Sequence, residues 1–214
     1  LPAPDGLIER DYQAVALALK KSLDDAKADA ERARREAGDY YAMWAHQIKT
    51  PIAAMRLLLD GEDSAQNQAI AAELFRVEQY VGMVLSYARL DGGSDLVIRE
   101  CDVDEIIRRA VRKFARLFIL KKLPLDFKLT HLTALTDEKW LQFVIEQLIS
   151  NAVKYTSSGG VVIEREENAV VVRDSGIGIR AEDLPRVFDK GFTGFNGRED
   201  RKSTGIGLYL CRRV

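Results

Sequence analysis

The sequence lacks several features by which common protein classes are recognised. Its 214 residues include only two cysteines, Cys101 and Cys211, far apart and in no spacing typical of a metal site, so two idle thiols in a reducing compartment are the simplest interpretation. No stretch approaches the roughly 18 consecutive apolar residues of a membrane helix, and no secretory signal opens the chain. Because 32 Lys and Arg balance 33 Asp and Glu, the net charge of −1 favours neither nucleic acid nor an anionic membrane as a partner.

The most familiar nucleotide-binding motifs are missing as well. The Gly-x4-Gly-Lys spacing of a Walker loop does not occur, and no Rossmann strand-to-helix pattern surrounds the glycines. We also find no internal repeat. The composition, with 47% hydrophobic and 30% charged residues, is ordinary for a globular chain with room for one or two domains.

The sequence begins with two long helical patterns. Between residues 12 and 44, apolar residues and alanines recur at intervals of three and four among dense charges. Such a seam cannot bury itself alone, so it predicts a partner helix from a second copy of the chain. After Gly61, residues 62–64 can cap a second helix, which has the same spacing of apolar residues and ends at Asp91. We predict an all-α helical hairpin that pairs with a second copy as a dimeric four-helix bundle.

Within the first helix, His46 lies outside the apolar stripe. That stripe consists of Trp44, Ile48, Ile52, Met55 and Leu59. Lys49 and Thr50, three and four residues after His46, share its polar face, and Pro51 follows. Alone, this arrangement fits a solvated histidine on a Pro-kinked helix as well as a reactive one, since short motifs give false positives.

The second half of the sequence mixes helices and strands. Residues 92–94, Gly-Gly-Ser, form a linker. We predict strands at 96–98, 125–129, 161–163 and 169–172, and helices at 102–120, at 138–155 and at the end of the chain. Asp102 and Asp137 stand where N-caps of two of these helices belong. The order favours an α+β sandwich in which helices cover one side of a sheet.

The helix predicted at 138–155 has residue types suited to a nucleotide. Asn151, Lys154 and Tyr155 project from one face, and Gln147 precedes them by one turn. An amide oxygen suits Mg²⁺, a lysine suits phosphate, and an aromatic ring can lie along a nucleoside. By itself such a set is more often an ordinary helix end.

A glycine-rich turn follows the last predicted strand. Asp174 can accept a hydrogen bond from an exocyclic amine, and Gly176 and Gly178 let the backbone approach a flat base. A plain tight turn is the alternative interpretation.

A second glycine-rich turn, with Thr204, Gly205 and Gly207, opens the final helix. Hydroxyls and glycines at a helix start can form an anion site for phosphates. Between the two turns, residues 188–198 are polar and glycine-rich with spaced aromatics, which suits a lid able to close over a ligand.

In this order the motifs resemble the two-domain core of bacterial sensor histidine kinases. Residues 46–51 match the H box, 147–155 the N box, 174–178 the G1 box, 184–188 the F box and 204–208 the G2 box. The resemblance implies a signalling coiled-coil helix at 1–39, a dimerisation and histidine-phosphotransfer domain at 40–92, and an ATP-binding domain of the histidine kinase, gyrase and Hsp90 type at 93–214. The wording of the boxes is most similar to the intramembrane-sensing branch, whose members respond to cell-envelope antibiotics such as bacitracin, often alongside an ABC transporter.

For this sequence the resemblance implies a homodimeric, ATP-dependent protein-histidine kinase. Mg-ATP is expected to bind with Asp174 on adenine, Asn151 on Mg²⁺, and Lys154 and the turn 204–207 on the phosphates, beneath a lid at 189–203. Nε2 of His46 then attacks the γ-phosphoryl group, which passes to an aspartate of a separate response regulator. Thr50 is the candidate for positioning water in the reverse, phosphatase reaction.

The resemblance also implies a longer protein. The family's ATP-binding domain continues with further strands, and the last residues stop inside a predicted helix. We therefore expect a fragment, the cytoplasmic portion of a protein anchored in the bacterial cell membrane, with membrane segments upstream and strands downstream.

One departure and two alternatives bear on this interpretation. Most family members carry an acidic residue after the phosphoacceptor, whereas Gln47 cannot take a proton. Its amide oxygen can still accept from Nδ1–H and hold Nε2 as the nucleophile, so we predict reduced but real kinase activity.

Clamp ATPases of the gyrase, Hsp90 and MutL type place a water-activating glutamate one turn before the N-box asparagine, where this chain has Gln147. A non-catalytic dimer scaffold is expected to have lost some of His46, Asn151, Asp174 and Gly205, and all four are present.

Overall fold

The computed structural model of the chain describes residues 6–59, 64–91, 96–194 and 204–214. The chain divides into two compact units, Leu1–Ser94 and Asp95–Val214. Within the described ranges, no helix is both long enough and apolar enough to cross a bilayer.

The first unit is a hairpin of two helices, α1 (Leu7–Leu59) and α2 (Ala65–Asp91). The helices pack through a small core of Ala45, Ile52, Leu74 and Val81, flanked by Trp44, Ile48, Leu59 and Leu85. Arg56 pairs with Glu78 across the two helices at 3.1 Å. The predicted hairpin is therefore confirmed, although Met55 of the predicted stripe is exposed in the single chain.

Local chemistry explains where α2 begins and where the hydrogen bonding of α1 is weakened. Ser64 Oγ accepts a hydrogen bond from the N–H group of Asn67 at 3.1 Å, which confirms the predicted cap of α2. The turn at 60–63 and the predicted linker at 92–94 lie outside the described residues. Inside α1, Pro51 has no N–H group, so the carbonyl of Gln47 lacks its usual helical donor.

The second unit alternates strands and helices. The order is β1 (Ile98–Asp102), α3 (Val103–Lys121), β2 (Leu125–Phe127), β3 (Thr133–Asp137), α4 (Glu138–Tyr155), β4 (Val161–Glu166), β5 (Ala169–Asp174), a 3-10 turn (Leu184–Arg186) and α5 (Gly207–Arg213). β1 pairs antiparallel with β3. β2 runs parallel to β4, which pairs antiparallel with β5.

Helices α3 and α4 pack against each other, and the core of this unit lies on their inner faces. Phe114 of α3, Ile149 of α4 and Ile163 of β4 are fully buried. Along β4, Val161 and Ile163 are buried while Val162 and Glu164 are partly exposed, so one face of the strand is covered. The predicted fold class, a helical hairpin followed by a mixed helix-and-strand domain, is confirmed.

Two strand predictions were wrong in their bounds, and one strand was missed. The first strand begins at Ile98 and runs to Asp102, and Leu96 and Val97 are exposed residues ahead of it. The predicted strand 125–129 ends at Phe127. Strand β3, which directly precedes α4, was not predicted.

A buried carboxylate anchors the start of α3. Asp102 caps the helix, as predicted, by accepting from the N–H groups of Asp104 and Glu105. Asp104, only 5% exposed, accepts from Thr130 Oγ1 at 2.7 Å, from Thr130 N at 2.8 Å and from His131 N at 3.0 Å. Burial by itself raises the pKa of Asp104, but these hydrogen bonds outweigh it and bring the pKa below its ordinary 3.8.

Candidate functional site

His46 lies on the exposed side of α1, as predicted. Its neighbour Ala45 is fully buried against α2, so the backbone around His46 is held by packing while the imidazole faces solvent. Thr50 Oγ1 donates to the His46 carbonyl at 3.3 Å, which leaves the lone pairs of the hydroxyl available as acceptors. Gln47 and Lys49 are exposed beside them.

The position of α4 is set at its first turn by Asp137. One oxygen of this carboxylate accepts from Lys139 N at 2.9 Å and Trp140 N at 3.2 Å, as in other N-caps. The other oxygen accepts from Val97 N at 2.9 Å, ahead of β1. Asp137 is 7% exposed; burial raises its pKa, but the three hydrogen bonds outweigh that effect and lower it.

Further along α4, the predicted nucleotide residues lie together at its last turns. One side of the helix is buried through Trp140, Ile145, Ile149, Ala152 and Val153. Asn151, Lys154 and Tyr155 are partly exposed on the remaining surface. Gln147 Nε2 donates to Asn151 Oδ1 at 3.3 Å, and Lys154 Nζ lies 5.0 Å from the centre of the Tyr155 ring.

The first glycine-rich turn folds onto the end of α4. Asp174 Oδ1 accepts from Gly176 N at 2.9 Å, and Ile177 N donates to the Tyr155 carbonyl at 3.2 Å. A Cβ atom on Gly176 would lie 2.6 Å from that carbonyl oxygen, so only glycine fits. Gly178 has a φ of +67° and open space around it, as a backbone that receives a flat ligand requires.

The second glycine-rich turn reaches the same helix one turn earlier. A Cβ atom on Gly207 would lie 2.4 Å from Gln147 Nε2, so the start of α5 sits directly on that amide. Gly205, with a φ of +64°, packs on the backbone of Gly191, whose N–H group donates to the Gly205 carbonyl at 2.9 Å. Thr204 Oγ1 accepts from Ile206 N at 3.4 Å.

The structure thus brings together the predicted residues of the second unit around the C-terminal half of α4. Asn151, Lys154 and Tyr155 lie on the helix, the Asp174–Gly178 turn meets its end, and the Thr204–Gly207 turn meets Gln147. The sequence had placed Gln147 on the same side of the helix as Asn151 but gave no sign of its contact with Gly207, which lies sixty positions later and has no local pattern.

Most of the predicted lid, residues 195–203, lies outside the described residues. Its described part, residues 189–194, is held through two adjacent residues, Gly191 and Phe192. Gly191 is hydrogen-bonded to Gly205, and the guanidinium of Arg186 lies 4.5 Å from the centre of the Phe192 ring.

The structure also contains an open cavity and two free cysteines. An open cavity of about 410 Å³ touches Asp174, but it is lined by the starts of β2 and β4 together with Arg173 and Ser175, and by no residue of α4 or α5. Both cysteines are free, and burial raises the pKa of the Cys211 thiol to about 12, so this thiol is an inert packing group.

Comparison with known proteins agrees with the arrangement. Residues 136–214 match the family described as histidine kinase-, DNA gyrase B-, and HSP90-like ATPase. Over its whole length the chain is 31% identical to the sensor protein BceS of Halalkalibacterium halodurans and covers 66% of that protein. The chain belongs to the sensor histidine kinase family. The predicted family is confirmed, and with it a histidine kinase ATPase domain in this chain.

Further relatives of this sensor histidine kinase give the same result. It is 34% identical to BceS of Bacillus subtilis, over 82% of this chain and 54% of that protein. It is 31% identical to the sensor histidine kinase YxdK of Bacillus subtilis, over 97% of this chain and 65% of that protein. The chain therefore spans between about half and two-thirds of the length of these relatives.

Among solved structures, full-length ShkA in complex with AMPPNP has a similar fold. The TM-score is 0.54 and the identity 22%, over 83% of this chain and 40% of that one. This likeness supports the fold of the histidine kinase described above.

Proposed function

We propose that this chain is the kinase core of a two-component sensor, which transfers the γ-phosphoryl group of ATP to Nε2 of His46 and then to an aspartate of a response regulator. The observation that carries the proposal is the packing of the two glycine-rich turns onto the same half of α4 that presents Asn151, Lys154 and Tyr155. We assign residues 1–39 to a signalling helix, 40–92 to dimerisation and phosphotransfer, and 93–214 to ATP binding.

The nucleotide is proposed to bind along the end of α4. The exposed Asp174 carboxylate accepts from the adenine amine, with Gly176 and Gly178 against the base and the Tyr155 ring along the nucleoside. Lys154 and the Thr204–Gly207 turn contact the phosphates, where a lysine acts as a point charge. Residues 189–203 are proposed to cover the ligand.

The residues present fit a magnesium ion brought in with the nucleotide. Among the described residues no cluster of His, Cys, Asp or Glu could hold a metal by itself, whereas Mg²⁺ is commonly held by one or two protein oxygens together with substrate phosphates. Asn151 is partly exposed, and its Oδ1 atom has a lone pair beyond the one used by Gln147. Bound there, the ion would neutralise phosphate charge.

At His46 the residues of the chain control the proton and the lone pair. We propose that the exposed Gln47 amide oxygen accepts from Nδ1–H, which leaves the Nε2 lone pair free to form the N–P bond as the bond to the ADP oxygen breaks. The Nδ1 proton of the resulting phosphoimidazolium leaves to water, since Gln47 cannot accept it. Transfer through a loose transition state depends mainly on positioning, so the amide suffices.

A homodimer is proposed from the exposed apolar seam of α1. Tyr12, Val15, Leu19 and Leu23 are each more than half exposed in the single chain, although they share the spacing of a coiled-coil seam. A second copy of the chain would cover these side chains.

For the full-length protein we further propose a membrane anchor, a response to antibiotics that act on the cell envelope, and an ABC transporter as a partner. The reason is that the box motifs resemble the intramembrane-sensing branch.

The test of the proposed function is labelling with γ-³²P-ATP and Mg²⁺, followed by acid and alkali treatment. We expect an alkali-stable, acid-labile label that His46→Ala abolishes, because a phosphoramidate hydrolyses in acid. Phosphate release that survives His46→Ala, without any label, would support the clamp ATPase instead. ATP binding with no turnover would support a scaffold. In the same assay, an unchanged rate for Gln47→Glu would show that residue 47 does not act on the imidazole.

Thr50→Ala is expected to keep autophosphorylation but to slow dephosphorylation of the phosphorylated regulator at least about tenfold, because a positioned water loses its partner. The assay follows loss of label from the regulator in the presence of each variant. Thr50→Ser retains the hydroxyl and is the matched control. Wild-type dephosphorylation by Thr50→Ala would rule out this role.

A further inference from the structure

The end of α4 is where the nucleotide residues and the Asp174–Gly178 turn meet, and its last carbonyl groups need partners from outside the helix. The last four carbonyls of any α-helix have no partner within the helix. In α4 two of these carbonyls belong to Lys154 and Tyr155 themselves. Whatever donates hydrogen bonds to these carbonyls therefore also fixes the two side chains.

One side chain from another helix satisfies most of them. Lys121 Nζ, from the last turn of α3, donates to Val153 O at 2.5 Å, to Lys154 O at 3.1 Å and to Thr156 O at 3.2 Å. The intervening Tyr155 carbonyl accepts from Ile177 N at 3.2 Å, in the Asp174–Gly178 turn. The carbonyls of residues 153–156 are thus all occupied, and three of them share one ammonium group.

The ammonium group of Lys121 is well suited to this position, and the backbone next to Lys121 is fixed. A lysine has three donors on a compact charge, whereas the planar fork of arginine suits carboxylates and phosphates. A cation at a helix C-terminus also opposes the negative end of the helix dipole. Lys121 itself sits just before a left-handed cap at Lys122, whose N–H group bonds to Ile119 O, while Leu123 N bonds to Phe118 O.

We propose that Lys121 is a positioning residue for nucleotide binding: by holding the carbonyls of Val153, Lys154 and Thr156, it fixes the end of α4 and thereby the Tyr155 carbonyl on which the Asp174–Gly178 turn is seated. Lys121 contacts backbone carbonyls of α4, including that of Lys154, and acts on the nucleotide residues through this helix. The proposal rests on the proposed function for its link to ATP. The effect of Lys121 on the Asp174–Gly178 turn does not depend on ATP.

The chain offers a matched control on the same pair of helices. Lys113 of α3 pairs with Glu146 of α4 at 2.5 Å, two turns before the helix end. Both lysines join α3 to α4, but only Lys121 reaches the carbonyls beside the turn. Lys113→Met therefore reports the general effect of losing a link between these helices.

The experiment compares Lys121→Met, Lys113→Met and Lys121→Arg in the full chain by ATP titration with Mg²⁺ and by amide hydrogen exchange without nucleotide. We expect Lys121→Met to weaken ATP binding about tenfold and to speed exchange at Ile177, while Lys113→Met changes affinity less than about twofold. Lys121→Arg keeps the charge and should fall between Lys121→Met and the wild type, so it remains informative if Lys121→Met is poorly folded.

Equal effects of Lys121→Met and Lys113→Met, or protection of Ile177 unchanged in Lys121→Met, would overturn the proposal. If the wild type bound no ATP, the proposed function would fail separately. The exchange measurement would still decide whether Lys121 positions the turn, because it requires no ligand.

Discussion

Gly205→Ala is expected to weaken ATP binding about 100-fold, while the two units remain folded. At φ +64° a side chain is strained, and the new Cβ would lie 2.4 Å from the Gly191 carbonyl carbon and 2.7 Å from Phe192 N. The Thr204–Gly207 turn must therefore leave Gly191, and it can no longer present its backbone to phosphate. A combined cost of about 3 kcal/mol corresponds to about two decades in affinity.

The control for this prediction is Gly191→Ala in the same segment. Gly191 also has a left-handed φ, of +77°, but a Cβ there meets nothing within 4 Å. We expect at most about a tenfold loss, from backbone strain alone. Titration with ATP, alongside circular dichroism to verify folding, checks both variants. Similar affinities for Gly205→Ala and the wild type would show that this turn does not contact the nucleotide.

Asp104→Asn is expected to lower the free energy of unfolding of the ATP-binding unit by about 3 kcal/mol, since a buried charged acceptor serves three donors. The asparagine amide group would face at least one N–H donor and leave it unsatisfied. Urea unfolding followed by Trp140 fluorescence in a Trp44→Phe background reports this unit alone, because these are the two tryptophans of the chain.

The matched control is Asp102→Asn, two residues earlier. Asparagine caps helices as well as aspartate does, so the expected change is below about 0.5 kcal/mol. Equal losses at the two positions would contradict the role given to Asp104.

The same carboxylate predicts how stability depends on pH. Because the pKa of Asp104 in the folded state lies below its ordinary 3.8, its contribution is complete above about that pH and is lost as the pH falls through the lower folded value. The wild type and Asp104→Asn should therefore converge in stability in strong acid.

The sequence predicted those elements whose local signals agree with their packing. The hairpin, the exposed His46, and the caps Asp102 and Asp137 followed from apolar spacing and capping chemistry. The grouping of Asn151, Lys154 and Tyr155 followed from helical geometry.

The missed strand β3 carries no such signal. Leu135, its most apolar residue, is 77% exposed, while the polar Asp137 is buried, so alternation points the wrong way. The strand exists because its backbone pairs with β1, where Ile98 lies opposite Asp137. The same pairing placed β1 on residues 98–102, of which Arg99, Glu100 and Asp102 are charged, rather than on the apolar Leu96 and Val97.

Contacts between distant positions were equally invisible. Neither the contact of Gly207 with Gln147 nor the hydrogen bonds of Lys121 to the end of α4 follow from residue type or spacing. Both are tertiary contacts that depend on how α3 and α5 pack on α4.

Asp137 uses both of its carboxylate oxygens, one to cap α4 and one to hold Val97, and this limits which residues can replace it. Serine, threonine and asparagine are good N-caps, yet each offers a single acceptor atom in the place of a carboxylate with two. At Asp102 any of them could serve, since one oxygen does the capping. At Asp137 they could start α4 or hold Val97, but not both. Two aspartates with the same local pattern should therefore differ widely in mutational tolerance.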